Sequence, residues 1–176
     1  YDLQTDPDEV RNLAGDAGHQ TILRRMRSAL DREMLRVNDN GFIPEGAPEE
    51  GFLESKDKKR YPLPRLLKMT EKVCRRDPAF LPEITKWMKA ENDCIRYWGV
   101  MGCLMLGRQA APAVEPLLER LQDRSPQIQV VAAEALCHMG KEEQALEKLQ
   151  NLLLKHTHPK IRLQAANAIE NIGEKA

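Results

Sequence analysis

The chain has 176 residues with 27 basic and 27 acidic side chains, so its formal net charge at pH 7 is zero. This balance excludes the strong positive charge typical of nucleic-acid-binding proteins and gives no attraction to anionic membranes. The longest uncharged stretch, residues 97–107, is much shorter than the roughly 20 residues of a membrane-spanning helix. We therefore expect no nucleic-acid partner and no membrane span.

The charge is unevenly distributed along the chain. Residues 1–55 carry 6 basic and 12 acidic groups, residues 56–110 carry 13 and 6, and residues 111–176 carry 8 and 9. This asymmetry allows two modules to attract each other, or the central segment to face an anionic ligand.

The chain opens on Tyr1 with no signal-peptide pattern, so we expect a piece of a longer protein.

The first part of the chain predicts a strand end followed by one long helix. Residues 1–4 resemble the end of a strand, and residues 5–8 read as a turn. Residues 17–37 carry apolar side chains at helical spacing, and Asp16 is a candidate N-cap. The sequence Asn38-Asp39-Asn40-Gly41 ends this helix.

An irregular connector is predicted over residues 41–61, because Gly46, Pro48 and Gly51 interrupt any regular pattern. A connector of this length indicates either a functional loop or a boundary between two modules. Its end carries the basic run Lys56-Asp57-Lys58-Lys59-Arg60. Residues 62–77 then predict a capping helix.

Residues 78–176 contain a repeat with a period of 33. Three segments align: DCIRYWGVMGCLMLG from Asp93, PQIQVVAAEALCHMG from Pro126 and PKIRLQAANAIENIG from Pro159. Shared columns hold small, apolar or glycine residues at spacings of three and four, which predicts one buried helix face. An amphipathic segment precedes each, so we expect three helix pairs in an all-α solenoid.

Several residue types that carry chemistry elsewhere have simpler interpretations here. The cysteines at positions 74, 94, 103 and 137 lack metal-site spacing and are predicted to be buried hydrophobes. His156 and His158 are close enough to suggest a metal site, but they align with an ordinary turn of the preceding repeat. Tyr97 and Trp98 suggest a sugar-stacking platform, although packing is the favoured interpretation.

The repeats resemble HEAT-like repeats, in which an Ile or Val followed by Arg opens the second helix. Ile95-Arg96 and Ile161-Arg162 fit this pattern, and Ile128-Gln129 departs from it. The family's Arg pairs with an acidic residue in a turn, so we expect an incomplete ladder of such pairs. The resemblance implies a surface that binds partners and says little about a specific function.

The segment YDLQTDPDEVRNLAGD and the helix after it resemble the C-terminal end of bacterial sulfatases of the alkaline-phosphatase-like superfamily. The matching residues are Asp6, Pro7, Glu9, Asn12, Leu13 and Ala14. The sequences YPLPRLL, RDPAFLPEI and IRYWGVMGCLMLG resemble the HEAT-like continuation of heparan N-sulfatase-like members. On this resemblance, residues 1–40 are a remnant of the sulfatase C-terminal subdomain.

The resemblance implies a periplasmic or secreted parent enzyme that hydrolyses sulfate esters or sulfamates of glycans. Its formylglycine motif, Cys/Ser-x-Pro-x-Arg, does not occur in the chain, and neither do its calcium ligands, which the resemblance places in an upstream catalytic domain. We expect no catalytic, cofactor or metal site here, and partners in that domain and in sulfated glycans. Lys56, Lys58, Lys59 and Arg60 are candidates for glycan contact, against the alternative of a merely solvated run. The alternative function is an autonomous HEAT-like protein-interaction module without an enzymatic parent.

Overall fold

A computed structural model describes residues 1–173, so the last three residues of the predicted repeat region lie outside the described residues. Within that range the chain is helical and contains no strand. Its α-helices are α1 (Gln20–Val37), α2 (Leu63–Cys74), α3 (Leu81–Trp87), α4 (Asp93–Leu106), α5 (Val114–Arg120), α6 (Pro126–His138), α7 (Glu142–Lys155) and α8 (Pro159–Gly173). The chain divides into two compact units, Tyr1–Asp39 and a larger one that begins at Asn40.

The first unit consists of polar turns followed by α1. Asp16 caps a 3-10 turn, Ala17–His19, by accepting a hydrogen bond from the Gly18 backbone N–H at 2.9 Å, as predicted. Helix α1 ends at Asn38, which adopts the left-handed conformation with φ of 52°. The predicted helix is therefore confirmed.

The strand end predicted over the first residues is wrong. The side-chain carboxylate of Asp2 accepts hydrogen bonds from the Gln4 backbone N–H and the Thr5 hydroxyl. Its backbone carbonyl accepts hydrogen bonds from the Thr5 and Asp6 backbone N–H groups. These bonds fold the segment into a turn. A strand requires a paired neighbour for its backbone groups, and no strand occurs among residues 1–173.

The second unit stacks three helix pairs, α3 with α4, α5 with α6, and α7 with α8. The second helices α4, α6 and α8 pack side by side, and α2 packs on α4 at the start of this row. The predicted helix pairs and the predicted helix before them are therefore confirmed. A continuous apolar core runs through the unit from Ile43 to Ala168.

Small residues bring the paired helices close together, as the repeat columns predicted. At Gly99, an added Cβ atom would lie 2.8 Å from the backbone nitrogen of Met88, at the end of α3. At Gly102, it would lie 3.0 Å from a methyl carbon of Ile84. Helix α4 therefore packs closely on α3: at Gly99 the added atom would meet backbone and only glycine fits, whereas at Gly102 the Ile84 side chain would have to shift by a few tenths of an ångström.

The repeat boundaries follow the residue types in the sequence. Pro126 and Pro159 are the first residues of α6 and α8, where a missing N–H breaks no helical hydrogen bond. Gly107 and Gly140 follow α4 and α6 with positive φ angles of 56° and 75°. These glycines let the chain reverse direction between helices.

Three of the four cysteines are buried, as predicted, and Cys74 at the end of α2 is exposed, which corrects the prediction for that residue. Cys74 faces outward because α2 directs other side chains, including Leu66, Met69 and Val73, into the core. Burial raises the pKa of Cys94 and of Cys103 to about 12. These thiols therefore remain protonated at neutral pH and are poor nucleophiles.

Candidate interaction surfaces

A buried charge network joins the first two helix pairs. Arg96 in α4 donates from Nε and Nη2 to the two carboxylate oxygens of Asp123, at 2.7 and 2.8 Å. Arg96 also donates from Nη1 to the backbone carbonyls of Ala90 and Glu91 and from Nη2 to Asp93. This network fixes the turn before α4 against the turn before α6.

The corresponding positions of the next two repeats make weaker contacts. Gln129 donates its amide to the carbonyl of Asp123 at 2.6 Å, and Arg162 donates to the carbonyl of His156 at 3.2 Å. Both contacts go to backbone oxygen, whereas Arg96 also meets a carboxylate. The geometry therefore agrees with the incomplete ladder expected from Ile128-Gln129.

A surface groove of about 660 Å³ lies beside this network. The connector contributes Lys59 and Arg60 to its lining, and the turn before α6 contributes Arg124. Asn92 holds the connector in place by donating its amide to the carbonyls of Lys59 and Arg60, each at 2.8 Å. The groove also contains the acidic residues Glu49, Glu91 and Asp93, so its charge is mixed.

The four basic candidates for glycan contact fall into different settings. Lys59 and Arg60 line the groove, whereas Lys56 places its ammonium group 3.9 Å from the ring centroid of Phe52. Lys58 is exposed on the turn between them. Arg124 is a further basic residue at the groove, and sequence reasoning did not single it out because it is 64 residues away from Arg60.

The connector segment of residues 42–50, here called the crossing segment, lies on the row of second helices. Trp98 in α4 donates its indole N–H to the Phe42 carbonyl at 2.9 Å, and the two rings lie 5.9 Å apart. Gln164 in α8 donates to the Glu45 carbonyl at 2.9 Å, and Gln127 in α6 donates to the same oxygen at 3.4 Å. One short segment therefore contacts all three helix pairs.

Charged and apolar side chains add to this attachment. Lys160 in α8 lies 3.4 Å from a carboxylate oxygen of Glu45 and 3.2 Å from one of Glu50. A hydrogen bond from the Gly46 backbone N–H, together with the Lys160 ammonium, lowers the pKa of Glu50. Ile43 and Ala47 are buried in the core of the second unit. The crossing segment is thus an ordered part of that unit.

Helix α1 presents a different kind of surface. None of its residues is buried, although its apolar side chains recur at helical spacing. Ile22 is 46% exposed, Met26 is 63% exposed and Leu30 is 57% exposed. These three residues, four positions apart, form what we call the α1 apolar row. Exposed rows of large apolar side chains are typical of surfaces that contact another protein.

The histidine and aromatic candidates have structural contacts. His156 accepts a hydrogen bond from the His158 backbone N–H at 3.1 Å, and His158 accepts one from the Lys160 backbone N–H at 3.3 Å. These bonds shape the turn before α8. Tyr97 packs edge-on against Trp98, and burial raises its pKa to about 12. Residues 1–173 contain no group of three or more potential ligands placed to hold a metal.

The comparison with known protein families concerns the second and third helix pairs. Residues 114–176 match the family model of HEAT repeats. The matched region begins at α5 and includes α6, α7 and α8. No curated protein and no solved structure matches the chain.

The fold class predicted from the repeat pattern is therefore confirmed as an all-α, HEAT-like solenoid. The first helix pair lies before the matched residues but packs in the same row through α4 and α6. HEAT-like repeats form extended surfaces, which indicates a protein-interaction or scaffolding module. Among the described residues, no helix is both long enough and apolar enough to cross a membrane.

Sequence reasoning missed the attachment of the crossing segment. The sequence signals for it were the apolar residues Phe42, Ile43 and Ala47 within a polar connector, and the polar residue Gln127 near the start of a predicted buried helix. In the structure Gln127 is only 2% exposed. None of these residues belongs to a known motif. Their common role depends on which helices become neighbours in the folded chain.

Proposed function

We propose that the chain is a non-catalytic scaffolding module that binds a protein through the α1 apolar row. The observation that carries this proposal is the exposure of Ile22, Met26 and Leu30 on one helix face. Burial of such side chains against a protein surface is favourable by roughly 25 cal/mol for each Å² of apolar area removed from water. None of the residues of α1 is buried, so this apolar area is available for such burial.

The finer part of the proposal names the partner as the catalytic domain of a sulfatase that acts on sulfated glycans. Its support is the resemblance of Asp6, Pro7, Glu9 and Asn12, followed by α1, to the C-terminal end of sulfatases. In this proposal the upstream domain holds the formylglycine and calcium and performs hydrolysis in the periplasm or outside the cell. The present chain contributes structure alone.

The first experiment examines the coding sequence before Tyr1 and the activity of the chain by itself. We expect an upstream domain that contains Cys/Ser-x-Pro-x-Arg, and no turnover when the isolated chain meets chromogenic sulfate esters or sulfamates. An upstream sequence without that motif would overturn the sulfatase assignment. Turnover by the isolated chain would overturn its non-catalytic role.

The second experiment tests the α1 apolar row in the longer protein. Met26→Arg combined with Leu30→Arg places charge in the proposed contact and should lower the melting temperature and the sulfatase activity. The matched control is Arg24→Ala combined with Arg32→Ala, which changes exposed polar positions of the same helix. Equal melting temperatures and activities for the two double variants would contradict the proposed contact.

Glycan contact by the basic run is a separate part of the proposal. Lys59 and Arg60, which line the groove with Arg124, offer charge-assisted donors to a sulfate group. We expect Lys59→Gln with Arg60→Gln to weaken binding to a sulfated oligosaccharide, while Lys56→Gln with Lys58→Gln, which removes the same charge outside that lining, has a smaller effect. Equal loss in both variants would indicate that only the total charge matters.

The alternative is an autonomous protein-interaction module without an enzymatic parent. The observation in its favour is that the second unit has a continuous core of its own from Ile43 to Ala168. The coding sequence decides between the two functions. A pull-down that returns a specific partner, together with no upstream sulfatase domain, would favour the autonomous module.

A further inference from the structure

The crossing segment occupies a repeated surface of the solenoid. In the 33-residue register, Cys94, Gln127 and Lys160 share one column, and Trp98, Val131 and Gln164 share the column four positions later. Four of these six side chains contact the crossing segment directly: Trp98, Gln127, Lys160 and Gln164. The contacted surface is therefore one continuous face of α4, α6 and α8.

The contacts on this face are those of a peptide-binding surface. Three side chains donate hydrogen bonds to backbone carbonyls of the segment, which is folded into turns and the 3-10 turn Pro48–Glu50. Sequence preference comes from Trp98, which contacts the Phe42 ring, and from Lys160, which contacts the carboxylate of Glu45. The face therefore selects an aromatic residue followed three positions later by an acidic residue, with apolar residues at the buried positions of Ile43 and Ala47.

The crossing segment is an imperfect ligand for its own site. Glu49 is only 8% exposed, and its Oε2 atom is buried without a hydrogen-bond partner. A buried carboxylate oxygen without a donor weakens the state that buries it, because water satisfied that oxygen before burial. A peptide with an uncharged residue at this position would avoid that cost.

We propose that this face of α4, α6 and α8 is a peptide-binding surface whose resident ligand is the crossing segment. A partner-protein segment that adopts the same turns, with an aromatic residue and a carboxylate three positions later, displaces it. The partner can bind only those molecules in which the face is uncovered. Its apparent association constant is therefore the intrinsic constant multiplied by the uncovered fraction. This surface shares no residue with the α1 apolar row and does not depend on the sulfatase assignment.

The test is binding in trans of a fluorescent peptide that carries residues 41–51 of this chain, followed by fluorescence anisotropy. Phe42→Ala combined with Glu45→Gln weakens the resident segment and should tighten peptide binding by about tenfold or more. Adding Lys160→Ala and Gln164→Ala to that variant should abolish the gain. Equal affinity in the wild-type chain and the weakened variant, or a gain that survives the surface changes, would overturn the proposal.

Hydrogen exchange provides a second measurement that does not require a weakened variant. We expect backbone amides of the crossing segment in the wild-type chain to exchange faster than those of α6, because the segment opens without global unfolding. Glu49→Gln removes the buried negative charge and should slow this exchange. Exchange of the segment at the same slow rate as α6 would show that it is a permanent part of the fold and would overturn displacement.

Discussion

Arg96 and Asp123 form a buried two-pronged ion pair that links neighbouring helix pairs of the solenoid. The two side chains are 5% and 2% exposed, and both carboxylate oxygens of Asp123 accept from the guanidinium. Asp123 also accepts a hydrogen bond from the Ser125 backbone N–H at 2.9 Å. Both partners are therefore well satisfied, and loss of either one leaves a charge that is costly to bury.

Removing one partner of this pair should destabilise the protein strongly. We expect Asp123→Ala to lower the free energy of unfolding by about 3–5 kcal/mol, because Arg96 then remains buried with only its single contact to Asp93 as a counter-charge. Urea denaturation followed by circular dichroism measures the loss. Arg124→Ala is the matched control, because Arg124 is exposed and its ion pair with Asp93 should contribute only about 0–1 kcal/mol. A similar loss in both variants would contradict the argument.

The same pair predicts how stability depends on pH. Burial raises the pKa of Asp123, but the hydrogen bonds from Arg96 and Ser125 outweigh this effect and hold the pKa below its usual value. The unfolded chain therefore takes up the proton first as the pH falls, near the ordinary aspartate pKa of about 3.9. The contribution of Asp123 is complete above about pH 5 and is lost as the pH drops towards the folded-state pKa.

Urea midpoints measured between about pH 3 and pH 7 test this dependence. We expect the wild-type midpoint to fall more steeply on acidification than that of Asp123→Asn, which cannot gain the proton. Parallel curves for the two proteins would show that other carboxylates control the acid response.

Substitution of Gly99 should separate helices α3 and α4. A Cβ atom at this position would meet the Met88 backbone nitrogen at 2.8 Å, and backbone cannot move aside as a flexible side chain can. We expect Gly99→Ala to cost about 1–3 kcal/mol, although alanine is the better helix former. Gly173→Ala is the control, because a Cβ atom there meets nothing within 4 Å. A gain in stability at Gly99, measured by thermal denaturation, would contradict the packing argument.

The α1 apolar row should be neutral for the stability of the isolated chain. Met26→Gln and Leu30→Gln change exposed side chains, so each should alter the free energy of unfolding by less than about 0.5 kcal/mol. Ile84→Ala, at a position that is 1% exposed, should cost about 2–5 kcal/mol. Chemical denaturation of the three variants tests the contrast. A large loss at Met26 or Leu30 would show that α1 is already covered within this chain.

The helical parts of the fold could be predicted because their signals are local. The helix caps at Asp16 and Asn38, the first-turn prolines of α6 and α8, and the glycines after α4 and α6 each act on adjacent backbone. The predicted strand at Tyr1 failed for the complementary reason. A strand depends on a partner distant in sequence, and Asp2 offers the backbone a local turn instead.

The sequence by itself determined the repeating helix pairs and their buried faces, because a period of 33 and spacings of three and four express helix geometry directly. Only the tertiary structure decided that Arg96 meets Asp123, that Lys59 and Arg60 share a groove with Arg124, and that residues 42–50 cover α4, α6 and α8. These contacts join residues 27 to 119 positions apart. Such pairings follow from the stacking of whole helices, and no short stretch of sequence encodes them.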